Sequence, residues 1–190
     1  GLEEMAEKSN VPVINSLSDD YHPCQLLADL LTIQEHKGKL AGLKVAYVGD
    51  AANNMANSYL IACAMAGMNV AMASPTQYSP SQAVVERAES IAAQTGGSIT
   101  LHQDPVSAVS GADVVVTDTW ISMGQESEKA KRLAEFAGFT VDAELMSQAR
   151  PDAIFMHCLP AYRGYEVSAE VLDGPQSVIW DEAENRLHAQ

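Results

Sequence analysis

The residues best suited to chemistry each follow a short apolar run. His157 and Cys158 come directly after residues 153–156, and Pro160 ends that segment. A short apolar run bounded by prolines is typical of a buried parallel strand, because proline cannot continue the hydrogen-bond ladder. In an open α/β sheet, ligands bind beyond the carboxyl ends of the strands. We therefore expect His157 and Cys158 to lie where a ligand binds.

Asp118 is the last residue of another predicted strand, residues 112–118, which is β-branched and apolar in its middle. Its carboxylate could brace the loop that follows, or it could pair with the ammonium group of a ligand. Ser122 and Met123 lie in that loop just before a predicted helix, where backbone amides are free to bind a carboxylate. The segment therefore offers one group suited to a cation and others suited to an anion.

Asn53 and Asn54 occupy the loop after the first central strand, residues 43–48. They could act only as turn formers and a helix cap, but paired carboxamides at a strand end also suit a ligand's carboxylate or carbonyl. The loop lacks the GxGxxG spacing, and the second strand ends in Ser74, where a ribose would need an acidic residue. These features argue against NAD, and we predict no cofactor.

Two helical segments add polar residues to this set. His22 and Gln25 begin a helix with an unusually broad apolar stripe. It could be a core helix, or a helix wedged between two domains with its first turn aimed at a cleft. Glu182 and Arg186 lie near the end of the chain. Arg186 follows a run of acids, so its role could be limited to a surface ion pair. Both pairs remain candidates for a site.

The three cysteines indicate neither a disulfide framework nor a metal site. Cys24, Cys63 and Cys158 are far apart and odd in number, which argues for a reducing compartment. Neither a CxxC nor an HExxH spacing is present, so we predict no metal. No nucleophilic Ser/His/Asp or Cys/His/Asn set can be argued from the spacing. Alone, Cys158 would more often be a buried thiol, but its position beside His157 favours a function.

Charge and apolar content exclude several classes of protein. The 190 residues carry 25 acidic and 11 basic side chains, a net charge of −14, which disfavours binding to a nucleic-acid backbone. A hydrophobic fraction of 47% suffices for a globular core. No apolar run approaches the ~20 residues of a membrane span, and no signal-peptide pattern is present. We predict a cytoplasmic protein that binds neither nucleic acid nor membrane.

Predicted strands alternate with predicted helices along the chain. The strands are residues 43–48, 69–74, 98–101, 112–118, 153–156 and 178–180. This alternation predicts right-handed crossovers and a parallel sheet with helices on both faces, a Rossmann-like α/β fold.

Four motifs together resemble those of the ornithine carbamoyltransferase family. They are His22-Pro-Cys-Gln25, Asp118-Thr-Trp-Ile-Ser-Met-Gly-Gln-Glu126, His157-Cys-Leu-Pro160 and Glu182-Ala-Glu-Asn-Arg-Leu-His188. Ser-Met-Gly together with His-Cys-Leu-Pro is typical of the ornithine rather than the aspartate member. The stretch of residues 50–58 is similar to the family's Asn-Asn loop. The resemblance covers nearly the whole chain and implies the aspartate/ornithine carbamoyltransferase fold.

The resemblance implies two groups of substrate-binding residues. Ornithine would be held by Asn54, Asp118, Ser122 and Met123, with Asp118 on its α-ammonium and the others on its carboxylate. Carbamoyl phosphate would face His22, Gln25, Cys158, Leu159 and Arg186. Cys158 and Arg186 would be the catalytic residues of the set.

The resemblance also implies a division into domains. The family has a first α/β domain that binds carbamoyl phosphate through a Ser-Thr-Arg-Thr loop, and a second that binds ornithine. Residues 1–21 would connect to the first domain, 22–38 would form the inter-domain helix, and 39–190 would form the ornithine-binding domain. The 190 residues contain no Ser-Thr-Arg-Thr stretch. We therefore expect this chain to be a piece of a longer protein and to be inactive by itself. The resemblance also implies that the full-length protein is a homotrimer.

The implied reaction is attack by the neutral δ-amine of ornithine on the carbamoyl carbon, which gives citrulline and phosphate. It needs no protein nucleophile, since positioning and stabilisation of the developing oxyanion supply most of the rate. The amine must first lose a proton, because an alkylammonium has a pKa near ~10.4. Cys158 is a candidate to orient or deprotonate it. The alternative is a non-catalytic small-molecule-binding or regulatory domain of the same fold.

Overall fold

A computed structural model describes residues 1–121 and 126–190. Its strands are β1 (Lys44–Val48), β2 (Asn69–Ala73), β3 (Ser98–His102), β4 (Val114–Thr117) and β5 (Ile154–Met156). Within the described residues they form one parallel sheet in the order β3-β2-β1-β4-β5. The direction of winding reverses between β1 and β4, which is where an open α/β sheet leaves a crevice for ligands.

Helices cover both faces of this sheet. They are α1 (Leu2–Lys8), α2 (Pro23–Lys37), α3 (Asn54–Met65), α4 (Gln82–Thr95), α5 (Pro105–Val109), α6 (Lys129–Glu135), α7 (Ala143–Met146), α8 (Ala169–Leu172) and α9 (Ile179–Ala189). Short 3₁₀ turns lie at Thr76–Tyr78 and Glu126–Glu128. Among the described residues, no helix combines the length and apolar composition that a membrane crossing requires.

The central strands are mostly apolar because both faces of the sheet are covered. Successive strand residues point to opposite faces. Val45 and Tyr47 belong to one core cluster, and Ala46 and Val48 belong to the other. Burial on both faces is the physical reason for the continuous apolar runs in the sequence. The prediction of a parallel sheet between helical layers is therefore confirmed, with the more exposed β3 at its edge.

The prediction of a strand at residues 178–180 is wrong. A single isolated bridge, between Phe155 and Ser177, links this segment to β5, and the chain then turns into α9. Ile179, Glu182 and Asn185 are the buried residues of that helix. A spacing of three residues falls on one face only in a helix, so helical winding buries all three together.

Packing of α2 against α9 brings two distant parts of the sequence together. Asn185 Nδ2 donates hydrogen bonds to Thr32 Oγ1 at 2.9 Å and to Glu35 Oε2 at 2.8 Å. Gly38 ends α2 in the left-handed region at a φ of 73°, where glycine has no side chain to clash. The Asn185 contact joins the second half of α2 to α9, and a hydrogen bond from Arg186 to Gln25 joins the first turn of α2 to the last turn of α9.

Candidate functional site

Asp118 and Cys158 meet at the carboxyl ends of β4 and β5. The thiol of Cys158 donates a hydrogen bond to Asp118 Oδ1 at 3.4 Å, and the backbone N–H of Thr119 donates to the same oxygen at 2.7 Å. Asn53 Nδ2 donates to Asp118 Oδ2 at 3.1 Å. The Asp118 carboxylate is thus held by groups that follow three different strands, β1, β4 and β5.

The two adjacent asparagines have different partners. Asn53 is the N-cap of α3, and its Oδ1 accepts the backbone N–H of Ala56 at 2.8 Å, which leaves its NH₂ group for Asp118. Asn54 Nδ2 donates instead to the backbone carbonyl of Ser18 at 2.8 Å. Asn54 remains the predicted ornithine ligand, and Asn53, which the sequence analysis considered with it but did not assign to a substrate, is the one that contacts Asp118.

Burial keeps both Asp118 and Cys158 closer to their protonated forms than in water. It raises the pKa of the Asp118 carboxyl, while His157, the Thr119 amide and the Cys158 thiol oppose the rise. Burial, followed by the charge of Asp118, raises the pKa of the Cys158 thiol well above its ordinary value. A cysteine accepts a proton only in its thiolate form, and a raised pKa disfavours that form. The structure therefore favours orientation over proton abstraction for Cys158.

His157 anchors the loop that carries Cys158 and Leu159. Its Nδ1 accepts the backbone N–H of Leu159 at 2.9 Å, so Nε2 carries the proton and donates to Glu166 Oε1 at 3.2 Å. The backbone N–H of Tyr162 donates to the same Glu166 oxygen at 2.6 Å. Leu159 lies in the left-handed region, with a φ of 59°. Both imidazole nitrogens are thus engaged in holding the loop.

His22, Gln25 and Arg186 form a second group, between α2 and α9. Arg186 Nη1 donates to Gln25 Oε1 at 2.7 Å. Burial lowers the pKa of His22, and the charge of Arg186 lowers it further. His22 Nδ1 and Arg186 Nε are buried without a hydrogen-bond partner among the described residues. Buried polar atoms are normally paired, so these two atoms are available to a ligand.

Behind this group lies a pair of fully buried acids, Asp29 and Glu182. Gln25 Nε2 donates to Asp29 Oδ1 at 2.8 Å, and the Tyr59 hydroxyl donates to Asp29 Oδ2 at 2.7 Å. Glu182 Oε2 accepts the backbone N–H of His157 at 2.9 Å. Burial raises the pKa of Asp29 to about 6, and burial together with the charge of Asp29 raises the pKa of Glu182 well above its ordinary value. The sequence analysis did not select Asp29.

We expect Asp29 to make the fold less stable as the pH rises from about 4 to 6. Its folded-state pKa of about 6 lies above the ordinary 3.8, so the folded state binds an extra proton between these values. The stabilisation is complete below the lower pKa and is lost as the pH passes the higher one. The loss should be on the order of 2 kcal/mol.

Urea unfolding between pH 4 and pH 7 measures this effect. The free energy of unfolding of Asp29→Asn should decline less steeply with pH than that of the unmodified protein, whatever their absolute stabilities. Asp29 also raises the pKa of Glu182. Removing the charge of Asp29 should therefore also reduce the contribution of Glu182 to the decline of stability with pH. Parallel pH profiles for the two proteins would contradict the prediction.

Arg132 joins the ends of β1 and β4 near the site. Its Nη2 donates to Asp50 Oδ2, and its Nε donates to the backbone carbonyl of Trp120. All three residues are buried, so the ion pair is shielded from water. Ser122 and Met123, two of the predicted ornithine ligands, lie outside the described residues.

Three possible metal ligands come together although the sequence spacing predicts no metal. The donor atoms of Asp118, His157 and Cys158 lie within 4.8 Å of one another. However, both nitrogens of His157 already make protein hydrogen bonds, and burial favours the neutral form of the thiol. A metal requires a free imidazole nitrogen and a thiolate. The donor set in this arrangement therefore does not fit a metal ion.

The two groups of residues carry complementary charges, and Glu182 on α9 joins them by accepting the backbone N–H of His157. The carboxylate of Asp118 suits a ligand ammonium group, and the guanidinium of Arg186 with the imidazole of His22 suits an anion rich in oxygen acceptors. A molecule on each side would bring an amine toward an electrophile without any covalent attachment to the protein.

Comparison with known proteins gives matches along the whole chain. The family model described as "Aspartate/ornithine carbamoyltransferase, Asp/Orn binding domain" matches residues 41–190. The family model described as "Aspartate/ornithine carbamoyltransferase, carbamoyl-P binding domain" matches residues 1–35. The chain is 66% identical over 190 residues to an ornithine carbamoyltransferase of Clavibacter michiganensis. The alignment covers 100% of this chain and 62% of that relative.

Solved structures give the same result. The ornithine carbamoyltransferase of Pyrococcus furiosus superposes with a TM-score of 0.95 at 53% identity, over 99% of this chain and 60% of that one. The enzyme of Gloeobacter violaceus superposes with a TM-score of 0.92 at 49% identity, over 99% and 62%. The chain thus spans about three fifths of the length of the relatives that it matches.

Proposed function

The chain belongs to the aspartate/ornithine carbamoyltransferase family, and on that premise we propose that it forms the ornithine-binding part of an ornithine carbamoyltransferase. The whole protein would transfer the carbamoyl group of carbamoyl phosphate to the δ-amine of ornithine and release citrulline and phosphate. One observation carries the proposal: Glu182 accepts the backbone N–H of His157, so Arg186, one turn further along α9, lies on the helix that meets the strand end carrying Cys158 and its partner Asp118.

We propose that ornithine binds on the acidic side of the crevice. Asp118 would pair with the α-ammonium of ornithine; Asn54 and the amides of Ser122 and Met123 would hold its carboxylate. Support for Asp118 comes from its burial and from the donors that fix its carboxylate. The contact of Asn53 with Asp118 supports adding Asn53 as an orienting residue.

Carbamoyl phosphate would bind on the basic side. His22, Gln25, Cys158, Leu159 and Arg186 would surround it. His22 Nδ1 and Arg186 Nε, which are buried and have no hydrogen-bond partner in the part of the chain that the structure describes, support this assignment because a ligand oxygen or N–H group would satisfy them. Arg186 would also stabilise the negative charge that develops on the carbamoyl oxygen during attack.

The protein residues would accelerate the reaction mainly by alignment. The δ-amine attacks the carbamoyl carbon, the bond from that carbon to the phosphate oxygen breaks, and phosphate leaves with the electron pair. The attacking nitrogen loses one proton, which the leaving phosphate takes up. Holding both substrates in the crevice makes the encounter effectively unimolecular. The raised pKa of the Cys158 thiol supports a role in orienting the incoming amine, with the thiol remaining protonated.

We further propose the domain division, assembly and location of the whole protein. Residues 1–21 would connect to a carbamoyl phosphate-binding domain, 22–38 would lie between the domains, and 39–190 would bind ornithine. An exposed Leu27 and an apolar cavity of about 350 Å³ between α2 and α3 support contact of α2 with another domain. The assembly would be a homotrimer in the cytoplasm.

A citrulline assay tests the proposal. The purified protein that contains this chain, given ornithine and carbamoyl phosphate, should release citrulline and phosphate in equal amounts. Aspartate in place of ornithine should give no carbamoylated product. Binding of ornithine by calorimetry without any turnover would instead support the non-catalytic alternative, a small-molecule-binding or regulatory domain of the same fold.

A further inference from the structure

Asp29 and Glu182 are too deeply buried to touch a substrate. The exposed fraction of Asp29 is 0% and that of Glu182 is 1%. Two acids buried side by side are costly unless other groups pair with them, so their partners indicate what they do. Those partners include Gln25, which borders the proposed site, and the backbone of His157, which precedes Cys158.

Asp29 determines which way the carboxamide of Gln25 points. A carboxamide has one accepting oxygen and one donating NH₂ group, and its two orientations are nearly equal in shape. The Asp29 carboxylate can only accept, so it takes the NH₂ group of Gln25 at 2.8 Å. The oxygen of Gln25 is thereby directed to Arg186 Nη1 at 2.7 Å. The reverse orientation would place two donors against each other.

Glu182 acts on the neighbouring strand end. Its Oε2 accepts the backbone N–H of His157 at 2.9 Å, beyond the last residue of β5. Its Oε1 is buried without a hydrogen-bond partner among the described residues. Asp29 reaches Arg186 on α9 through Gln25, and Glu182 on the same helix reaches His157. The two acids therefore connect α2, α9 and the end of β5.

We propose that Asp29 and Glu182 form a positioning pair that orients Arg186 through Gln25 and fixes the strand end that carries Cys158. This inference rests on the proposed function, because it assigns the pair to the carbamoyl phosphate side of that site. Asp29 would act on the binding of carbamoyl phosphate. Glu182 would act on the placement of the loop that begins at His157.

The test of the first link compares Asp29→Leu with Asp29→Asn in the complete protein. Leucine cannot accept from Gln25, so the KM for carbamoyl phosphate should rise about 10- to 100-fold, the loss expected for a misdirected charged hydrogen bond. Asparagine can still accept from Gln25 and donate to the Tyr59 hydroxyl, so its KM should stay within about fivefold. The KM for ornithine should change little in both variants.

The second link has its own pair of variants, which serve if Asp29→Leu does not fold. Glu182→Gln retains an acceptor for the His157 N–H and a donor toward Asp29. Glu182→Met retains neither, and we expect its kcat to fall at least tenfold below that of Glu182→Gln. Thr32→Val is the matched control, since it removes one hydrogen bond from the same α2–α9 contact without touching Gln25 or Arg186.

The outcomes separate the inference from the proposed function. An unmodified protein that makes no citrulline contradicts the proposed function. The inference is tested apart from turnover by calorimetric titration with inorganic phosphate, which Asp29→Leu should bind about 10-fold more weakly than Asp29→Asn. Equal phosphate affinities and equal KM values across these variants, or the same change in Thr32→Val, would overturn the positioning pair.

Discussion

Arg186→Met is expected to lower kcat/KM for carbamoyl phosphate about 10³-fold. Methionine retains much of the apolar stem of arginine but has no donor and no charge. The guanidinium would stabilise negative charge in a water-poor crevice, where loss of one such donor typically costs 10²- to 10³-fold. Steady-state assays with varied carbamoyl phosphate at saturating ornithine measure the effect.

Two comparison variants make this result specific. Arg186→Lys keeps the charge but not the planar fork that reaches Gln25 and a ligand together, so it should recover only part of the activity. Arg150→Met removes an exposed arginine that pairs with Asp113 and Asp152. Arg150 precedes β5 and lies at the amino ends of the strands, away from the site, so this variant should behave like the unmodified protein. A normal kcat/KM in Arg186→Met would remove Arg186 from the proposed site.

The sheet could be predicted from the sequence because its cause is local. A strand buried on both faces is apolar at consecutive positions, and this leaves a readable run within β1, β2, β4 and β5. The run of residues 178–180 has the same appearance for a different reason. There, Val178 and Ile179 are buried at the start of a helix, and Trp180 is 70% exposed. Three residues are too few to distinguish a period of 2 from one of 3.6.

The strand ends of the site could also be predicted, but most of its supporting contacts could not. Asp118 and Cys158 are recognisable because each follows an apolar run. Asp29 lies inside a helical pattern, and its role depends on Glu182 and Arg186, more than 150 residues away in the sequence. The choice between Asn53 and Asn54 is set by which of them caps α3, a matter of backbone angles at a single residue.

Asp118→Asn is expected to weaken ornithine binding about 10- to 100-fold. The change keeps the shape of the side chain but removes the charge that would pair with the α-ammonium, and a hydrogen bond to a charged group is typically worth about 1.5–3 kcal/mol. Calorimetric titration of ornithine into the protein saturated with carbamoyl phosphate, or its steady-state KM, measures the loss.

The structure adds a second consequence to this substitution. Each carboxylate oxygen of Asp118 accepts a protein donor, from Thr119 and Cys158 on one side and Asn53 on the other, so the new NH₂ group must face a donor. Asn53 cannot turn its amide without giving up the cap of α3, so the variant should also unfold at a lower temperature.

Asp113→Asn is the matched control, because Asp113 lies just before the same strand at its opposite end, where its Oδ2 accepts the backbone N–H of Lys44 at 2.8 Å. Asp113→Asn should be less stable than the unmodified protein but should bind ornithine as tightly. If both variants bound ornithine as tightly as the unmodified protein, Asp118 would be a structural brace for its loop and would have no part in recognising the substrate.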